Sequence, residues 1–227
     1  MKHIRLLLFI SFTIALVSCE LDNFHKPESV LSGRFVYNEQ PLQLRGTAGD
    51  WDNMIYAYQY GPAYENIGGI NIYCNSDGEF RNLMYNGNYK LVLRQDRGPW
   101  IPMKDTIEVS ISGNYNLDIE VTPYFIITQC DITYHNNVVK VKCQIDKIVE
   151  DAQIQDVVLY ISSTKLVDNV AKIAEKSFAN ISPGITEFEF DLTNNGITDA
   201  AHYLFARVGV RAINTNEYIF SEIQKLR

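Results

Sequence analysis

Residues 107–121 read IEVSISGNYNLDIEV, and apolar residues occupy alternate positions on both sides of the turn-forming stretch 112–114. Successive side chains of a β-strand point to opposite faces, so a period of two places all the apolar residues on one face. They are Ile107, Val109, Ile111, Tyr115, Leu117, Ile119 and Val121. The stretch therefore predicts a β-hairpin that covers a hydrophobic core.

Similar runs occur along the rest of the chain and indicate an all-β protein. Before residue 107, strands are predicted at 28–38, 54–60, 70–75, 79–85 and 89–95. After residue 123, the runs lie at 126–134, 139–143, 156–162, 188–192, 203–212 and 218–220. Residues 165–175 carry apolar side chains at helical spacing, which predicts a short helix or a structured loop over a sheet edge.

Composition and charge limit the class of protein and of partner. A chain of 227 residues with 46% hydrophobic and 21% charged residues has ordinary globular composition and room for one large or two small domains. The net charge is −7, and removal of residues 1–18 would take away Lys2 and Arg5 and no acid, leaving −9. This acidity argues against nucleic acid or anionic lipid as a partner.

The N-terminus predicts an exported lipoprotein. Residues 1–5 are basic, and residues 6–17 form an apolar run that is too short to span a bilayer. The run ends in Leu16-Val17-Ser18-Cys19, which resembles the bacterial lipobox and implies lipidation of Cys19. Glu20 and Asp22 partly resemble the acidic signal for surface export in Bacteroidetes, and a solvated linker is the alternative interpretation.

Each half of the chain resembles a known β-sandwich. Residues 31–35 (LSGRF), 77–80 (DGEF) and 86–90 (NGNYK) resemble motifs of the carboxypeptidase regulatory-like, prealbumin-type sandwich. The hairpin at 203–220 is similar to the closing hairpin of immunoglobulin-like, fibronectin type III domains. The expected organisation is a signal peptide (1–18), a lipidated tether (19–27), a prealbumin-like domain (28–122) and a fibronectin III-like domain (123–227).

The lipobox, the two halves and the Val-Thr-Pro-Tyr junction at 121–124 together resemble an uncharacterised two-domain lipoprotein family of Bacteroidetes, a family of unknown function. Its members are commonly encoded beside starch-utilisation-type glycan importers of the outer membrane. The resemblance implies a location and a context. It supplies no catalytic residues.

No catalytic or metal-binding constellation is present in the sequence. The histidines of the mature chain, His25, His135 and His202, do not occur at metal-ligand spacing. Nucleophile elbows, phosphate-binding loops and dinucleotide fingerprints are also missing. The sequence therefore predicts neither an enzyme nor a bound cofactor or metal.

Two cysteines are predicted to face each other across a hairpin. If Asn136 and Asn137 form a two-residue loop, Cys130 lies opposite Cys143 in a non-hydrogen-bonded pair, the closer of the two pair types. An oxidising compartment would permit a disulfide between them. The alternative is a pair of thiols that pack in the core.

Three further residues are candidates for contact with glycans. Trp51 lies in the polar stretch 49–53 and Trp100 in the stretch 97–102, and sugars stack their apolar C–H faces on such rings. The alternative for each is an indole packed on its own domain.

Asp105-Thr106-Ile107 resembles the tripeptide at which Bacteroidetes O-glycosylate exported proteins, with Thr106 as the acceptor.

These features predict a non-catalytic lipoprotein of the outer membrane, on the cell surface rather than the periplasmic face. The first functional interpretation is a glycan-binding accessory of a polysaccharide utilisation and import system, with a polysaccharide or oligosaccharide as ligand. The alternative is a structural or protein–protein adaptor that contacts importer components. The lipid is the expected membrane contact, and no nucleic acid is expected.

Overall fold

The structure is a computed structural model that describes residues 26–47, 53–62 and 68–227. Within these ranges the chain is almost entirely β, as the alternating runs predict. The strands before residue 123 are β1 (Ser29–Tyr37), β2 (Gln40–Pro41), β3 (Ile55–Tyr60), β4 (Ile70–Ile72), β5 (Glu79–Met84), β6 (Gly87–Leu93), β7 (Thr106–Ile111), β8 (Asn114–Asn116) and β9 (Ile119–Glu120).

The first half of the chain forms two sheets that enclose a core. In the first sheet β1 pairs antiparallel with β2 and β5 and parallel with β8 and β9. In the second sheet the order is β4-β3-β6-β7, and all neighbours are antiparallel. Leu31 and Phe35 from the first sheet and Ile55 and Leu91 from the second are completely buried. This arrangement is a β-sandwich, as expected.

The hairpin predicted for residues 107–121 is wrong, although its apolar residues do belong to the core. β7 pairs with β6 of the second sheet, whereas β8 and β9 run parallel to β1 in the first sheet. The chain therefore crosses between the sheets at residues 112–114. Gly33 permits the segment after this crossing to lie close against β1, because a Cβ there would lie 1.8 Å from the carbonyl oxygen of Leu117. The period of two fixes the buried face of a strand and leaves its pairing partner open.

The second half is also built of two sheets. Its elements are β10 (Phe125–His135), β11 (Val138–Lys147), β12 (Ile154–Ser162), β13 (Ala174–Phe178), β14 (Gly184–Asp191), α1 (Gly196–Ala200), β15 (Phe205–Ala212), β16 (Tyr218–Phe220) and β17 (Gln224–Lys225). One sheet has the order β10-β11-β14, and the other has the order β13-β12-β15-β16 with β17 beside β15. The all-β fold of two sandwiches is confirmed.

Residues 165–173 form a structured loop, not a helix. Val167 and Asp168 are both buried, at 1% exposure each. The Asp168 carboxylate accepts hydrogen bonds from the backbone N–H groups of Val170 and Ala171, both at 2.8 Å. Such local hydrogen bonds, which run from backbone N–H groups to an aspartate carboxylate, favour a turn over a helix.

One hydrophobic core runs through both sandwiches across Pro123. Trp100 and Pro123 form an isolated β-bridge at the junction, and the backbone N–H of Tyr124 donates to the carbonyl of Pro99 at 3.1 Å. The two halves therefore share buried contacts as well as a covalent link.

Buried charges add directional contacts across the same junction. The Arg207 side chain is completely buried in the second half, and its Nη1 donates to the carbonyl of Leu44 in the first half at 3.0 Å. Its Nε donates to the carbonyl of Ser221 at 3.1 Å, and its guanidinium lies 4.2 Å from the ring centroid of Phe220. Burial lowers the pKa of Arg207 to about 10.

Two buried acids repeat this pattern. Glu217, which is 4% exposed, accepts from Arg97 Nη1 of the first half at 2.9 Å. Asp168 accepts from the backbone N–H of Thr47 at 3.1 Å and from its hydroxyl at 2.8 Å. Burial raises the pKa of Asp168, but its hydrogen bonds outweigh burial and the net pKa is lowered from 3.8. The halves are thus fixed against each other by apolar and ionic contacts.

Replacing Arg207 tests this junction. In Arg207→Met, the buried carbonyls of Leu44 and Ser221 lose a charged donor, and we expect the free energy of unfolding to fall by about 2–4 kcal/mol. Arg211→Met is the matched control, because Arg211 lies on the same strand and forms a partly exposed ion pair with Asp156 at 3.0 Å. That variant should lose about 1 kcal/mol or less. Urea unfolding of both measures the difference, and equal losses would contradict the role given to Arg207.

Candidate functional site

Trp100 is part of the core, so the prediction that it binds a glycan is wrong. Its side chain is 2% exposed and stacks on Phe35, with ring centroids 4.8 Å apart and planes inclined by 27°. The ring covers Gly98, where a Cβ would lie 2.1 Å from the indole Cε2. The alternative interpretation, an indole packed on its own domain, is the observed one.

Trp51 and Cys19 lie outside the described residues, so the predictions for both stand as they were made. The described residues that flank Trp51 are anchored in the protein. Thr47 is bound by Asp168, and Asn53 is 1% exposed and accepts from Arg94 Nη1 at 3.3 Å.

Strand β3 presents a row of tyrosines on the outer face of the second sheet. Ile55 and Ala57 point into the core, so the alternate residues point outward. Tyr58 is 38% exposed and Tyr60 is 37% exposed, and Tyr56 is half-buried beside them. The rings of Tyr56 and Tyr58 have centroids 6.0 Å apart. We call Tyr56, Tyr58 and Tyr60 the tyrosine strip.

Gly69 makes room for two rings of the tyrosine strip. A Cβ at Gly69 would lie 2.9 Å from Cε1 of Tyr58 and 3.2 Å from Cδ1 of Tyr56. Any larger residue would push these rings from their positions. The glycine just before β4 therefore helps to set how the rings lie on the sheet.

Polar side chains flank the tyrosine strip on the neighbouring strands. Lys90 is paired with Tyr58 in the sheet register, and its Nζ lies 5.2 Å from the ring centroid of Tyr60. Glu108 on the next strand forms an ion pair with Lys90 at 3.7 Å. Asn88 is paired with Tyr60, and Asn71 with Tyr56. The strip is thus an aromatic surface with hydrogen-bonding groups along its sides.

Arg94 borders the other end of the tyrosine strip. Its guanidinium carbon lies 5.8 Å from the ring centroid of Tyr56. The same guanidinium donates to both carboxylate oxygens of Asp96, at 2.9 and 2.6 Å. This pairing lowers the pKa of Asp96, with the hydrogen bond from Arg94 as the largest cause.

This arrangement suits stacking and hydrogen bonding. Aromatic rings offer flat apolar faces, and the hydroxyls of tyrosine keep a polar edge in water. Across the described ranges we found no cluster of three or more histidine, cysteine or acidic side chains that could hold a metal ion. The interactions that the rings and polar groups of the strip offer directly are stacking and hydrogen bonding.

The signal for the tyrosine strip was present in the predicted strand 54–60. Its alternation assigns Ile55 and Ala57 to one face and three tyrosines to the other. The candidates predicted from the sequence were tryptophans in loops, and the tyrosines of this strand were not among them. Several exposed aromatic rings side by side on one sheet face indicate a binding surface, because large aromatic side chains are usually mostly buried.

Two clefts at the junction of the halves offer a second kind of surface. A cleft of about 520 Å³ is lined by Tyr37, Gln40, Leu42, Cys130 and Gln224 among others, and one of about 920 Å³ by Asp77, Lys165, Tyr203 and Lys225 among others. Tyr203 is 55% exposed, and Lys225 Nζ lies 4.7 Å from its ring centroid. Gln43 and Glu222 line both clefts.

The predicted register of Cys130 and Cys143 is confirmed. The two residues are paired between β10 and β11, and Asn136 and Asn137 form the loop with φ of 50° and 64°. Cys143 is buried, whereas Cys130 is partly exposed at the wall of the smaller cleft. The hydrogen bond between the thiols lowers the pKa of Cys130 and raises the pKa of Cys143. Both are free thiols in the structure, as is Cys74.

Thr106 is exposed at the start of β7. It is paired with Val92, which is paired with Tyr56, so Thr106 lies on the same face as the tyrosine strip. Its O-glycosylation stays a prediction.

Comparison with models of protein families shows which family this chain belongs to. Residues 29–122 match the model described as protein of unknown function (DUF3823), N-terminal domain, and residues 125–225 match DUF3823_C, a domain of unknown function. The chain belongs to the DUF3823 family. This confirms the predicted resemblance to an uncharacterised two-domain family. We found no curated protein that matches the chain.

Solved structures of similar proteins support the same assignment. A DUF3823 family protein from Parabacteroides merdae is 33% identical, with a TM-score of 0.83, over 89% of this chain and 100% of that one. A DUF3823 family protein from Bacteroides ovatus is 28% identical, with a TM-score of 0.75, over 87% and 98%. A Bacteroides uniformis protein named as a candidate carbohydrate binding protein shares the fold at 17% identity, with a TM-score of 0.70, over 88% and 99%.

In the part of the chain that is described, no helix is long and apolar enough to cross a membrane.

Oxidation of the cysteine pair tests the hairpin register chemically. We expect mild oxidation of the purified protein to form a disulfide between Cys130 and Cys143, because Cα atoms of a non-hydrogen-bonded pair lie about 4.5 Å apart, within disulfide range. Peptide mapping with and without reduction identifies the bridge, and Cys143→Ser serves as the control that cannot form it. A peptide that joins either residue to Cys74 would contradict the register.

Proposed function

We propose that this DUF3823 protein is a non-catalytic, glycan-binding lipoprotein that serves as an accessory of a polysaccharide utilisation and import system at the outer membrane. The single observation that carries the binding role is the tyrosine strip. Three tyrosines alternate along one strand, two of them more than a third exposed, on a sheet whose opposite face is buried in the core.

The surface of the tyrosine strip matches that of a sugar ring. A pyranose ring has an apolar face of C–H groups and a rim of hydroxyls. The tyrosine rings can take the apolar face, while Lys90, Glu108 and Asn88 lie close enough in the sheet register to reach the hydroxyls. Removing water from both apolar faces favours the contact.

Two comparisons support the proposal. The Bacteroides uniformis protein that shares this fold is named for carbohydrate binding. The resemblance of the sequence to a lipoprotein family implies a setting beside glycan importers, which is in keeping with the proposal. Neither comparison locates a binding site, so the assignment to the tyrosine strip rests on exposure and geometry.

An adaptor role is the second candidate, and a specific observation favours it. The buried contacts of Arg207, Asp168 and Glu217 fix the two sandwiches against each other. A rigid two-domain body is suited to hold an importer component at a set distance from its anchor. Measuring both the binding of glycans and the co-purification of importer components for the same variants distinguishes the two roles.

Alanine substitutions in the tyrosine strip test the binding role. We expect Tyr58→Ala and Tyr60→Ala each to weaken binding of the glycan that the wild-type protein retains by about tenfold, since loss of one aromatic stacking partner costs about 1–3 kcal/mol. Affinity gel electrophoresis with a panel of polysaccharides measures the loss. The residues are exposed, so the free energy of unfolding should change little.

Two control variants sharpen this test. Tyr58→Phe keeps the ring and should retain most of the affinity. Tyr203→Ala removes a tyrosine that is 55% exposed in the second half and should leave binding unchanged. If only Tyr203→Ala abolishes retention, the site lies at the larger junction cleft. If wild type binds no glycan while importer components co-purify with it, the adaptor role replaces the binding role.

We further propose that Cys19 is lipidated and that the protein is anchored in the outer membrane with its body on the cell surface. The lipobox-like residues 16–19 and the acidic residues that follow support this proposal. Each buried acyl methylene contributes about 0.8 kcal/mol, so several acyl chains give stable anchoring.

Replacing the cysteine tests the anchor. Cys19→Ala should remove the acceptor of the lipid, so the protein should lose incorporation of a labelled fatty acid and leave the outer-membrane fraction. Cys74→Ala is the matched control and should be labelled like wild type. Protease treatment of intact cells then reports whether the anchored wild-type protein faces outward. Unchanged labelling of Cys19→Ala would refute lipidation at this residue.

A further inference from the structure

We propose that the tyrosine strip binds internal stretches of long, uncharged polysaccharide chains. This inference rests on the glycan-binding function proposed above and names the class of ligand for the same site. Three features carry it: the strip lies on an outer sheet face with two rings more than a third exposed, its aromatic residues follow one strand, and the charged side chains beside it form ion pairs.

The openness of the site decides which part of a chain is bound. The tyrosine strip lies on the outer face of a sheet, and on one side its border is the backbone of Gly69. Among the described residues no atom lies within 4 Å of the place of a Cβ at the neighbouring Gly68, and Tyr58 and Tyr60 are 38% and 37% exposed. A site that recognises a chain end must surround it. The strip contacts only the side of a ligand, which favours the interior of a chain.

The spacing along the strand favours an extended ligand. Alternate residues of a β-strand are about 6.7 Å apart, so the three tyrosines span about 13 Å in one direction. The centroids of Tyr56 and Tyr58 are 6.0 Å apart, close to this spacing. A monosaccharide can cover one ring at a time. A chain of sugars that lies along the strand can contact all three rings together, and linked contacts strengthen one another.

The charges of the face disfavour an ionic ligand. Among the described residues that pair across β4, β3, β6 and β7 on this face, the charged side chains are Lys90 and Glu108, and they pair with each other at 3.7 Å. At the border, Arg94 is paired with Asp96 at 2.6 Å. The net charge of the protein is −7. Each of these described cations thus already has an acidic partner, and the net negative charge of the protein repels a polyanion such as a polyuronate at longer range.

Binding of the full-length protein to defined polymers tests the inference. The probes are soluble neutral polymers (starch, a mixed-linkage β-glucan and a glucomannan) and polygalacturonate. We expect retention by at least one neutral polymer and none by polygalacturonate. The dissociation constant should change by less than about twofold between about 0.1 M and about 1 M NaCl, although the screening length falls from about 10 Å to about 3 Å.

Chemical reduction of the reducing ends tests whether the protein binds the interior of the chain or that end. Borohydride converts the reducing-terminal sugar of each chain to an open alditol and leaves the interior and the non-reducing end intact. Retention should be unchanged on the reduced polymer. Gly69→Ala provides a variant that removes no ring but displaces Tyr56 and Tyr58, and it should weaken retention of the same polymer.

The outcomes distinguish this inference from the proposed function. Retention by polygalacturonate that is lost at high salt, or retention that is lost after borohydride treatment, would overturn the inference and leave glycan binding intact. Unchanged affinity of Gly69→Ala together with Tyr58→Ala would also overturn it, because the site would then lie elsewhere. If no polymer is retained under any condition, both the inference and the proposed function fail.

Discussion

The buried guanidinium of Arg207 is the interaction on which the arrangement of the two sandwiches depends. A charge without access to water is tolerated only where dipoles and a π face replace its hydration. Here the carbonyls of Leu44 and Ser221 and the ring of Phe220 provide them. Leu44 belongs to the other half of the chain, so Nη1 of Arg207 reaches this acceptor only when the halves are joined in one relative position.

The other buried charges at the junction also bind partners in the opposite half. Asp168 and Glu217 are buried acids of the second half, and each accepts a hydrogen bond from a residue of the first half, Thr47 and Arg97 respectively. Apolar contact alone would allow the halves to slide, whereas directional bonds to buried charges favour one register. The two junction clefts and the anchored residue Thr47, which precedes the Trp51 segment, take their positions from this register.

Burial also explains which aromatic residues are available for a ligand. The indole of Trp100 has a large apolar area and covers a glycine beside the junction, so it is used as core. The tyrosines of β3 lie on a strand that can bury only one face, and Ile55 and Ala57 already fill it. Tyrosine is tolerated on the solvent-facing side because its hydroxyl stays hydrated, while its ring remains available for stacking. The candidate site is thus a consequence of strand alternation.

The sequence by itself determined the all-β class, most strand positions, the Cys130–Cys143 register and the membership of a two-domain family. The class, the strand positions and the register follow from local rules: a period of two, turn residues with positive φ, and a hairpin loop of fixed length. The family was indicated by a resemblance of motifs. Only the tertiary structure decided that residues 107–121 cross between sheets, that Trp100 is buried and that Arg207 joins the halves. Those outcomes depend on contacts between residues far apart in the chain, such as Gly33 with Leu117 and Leu44 with Arg207, and no local pattern encodes which distant partner a strand or a charge will meet.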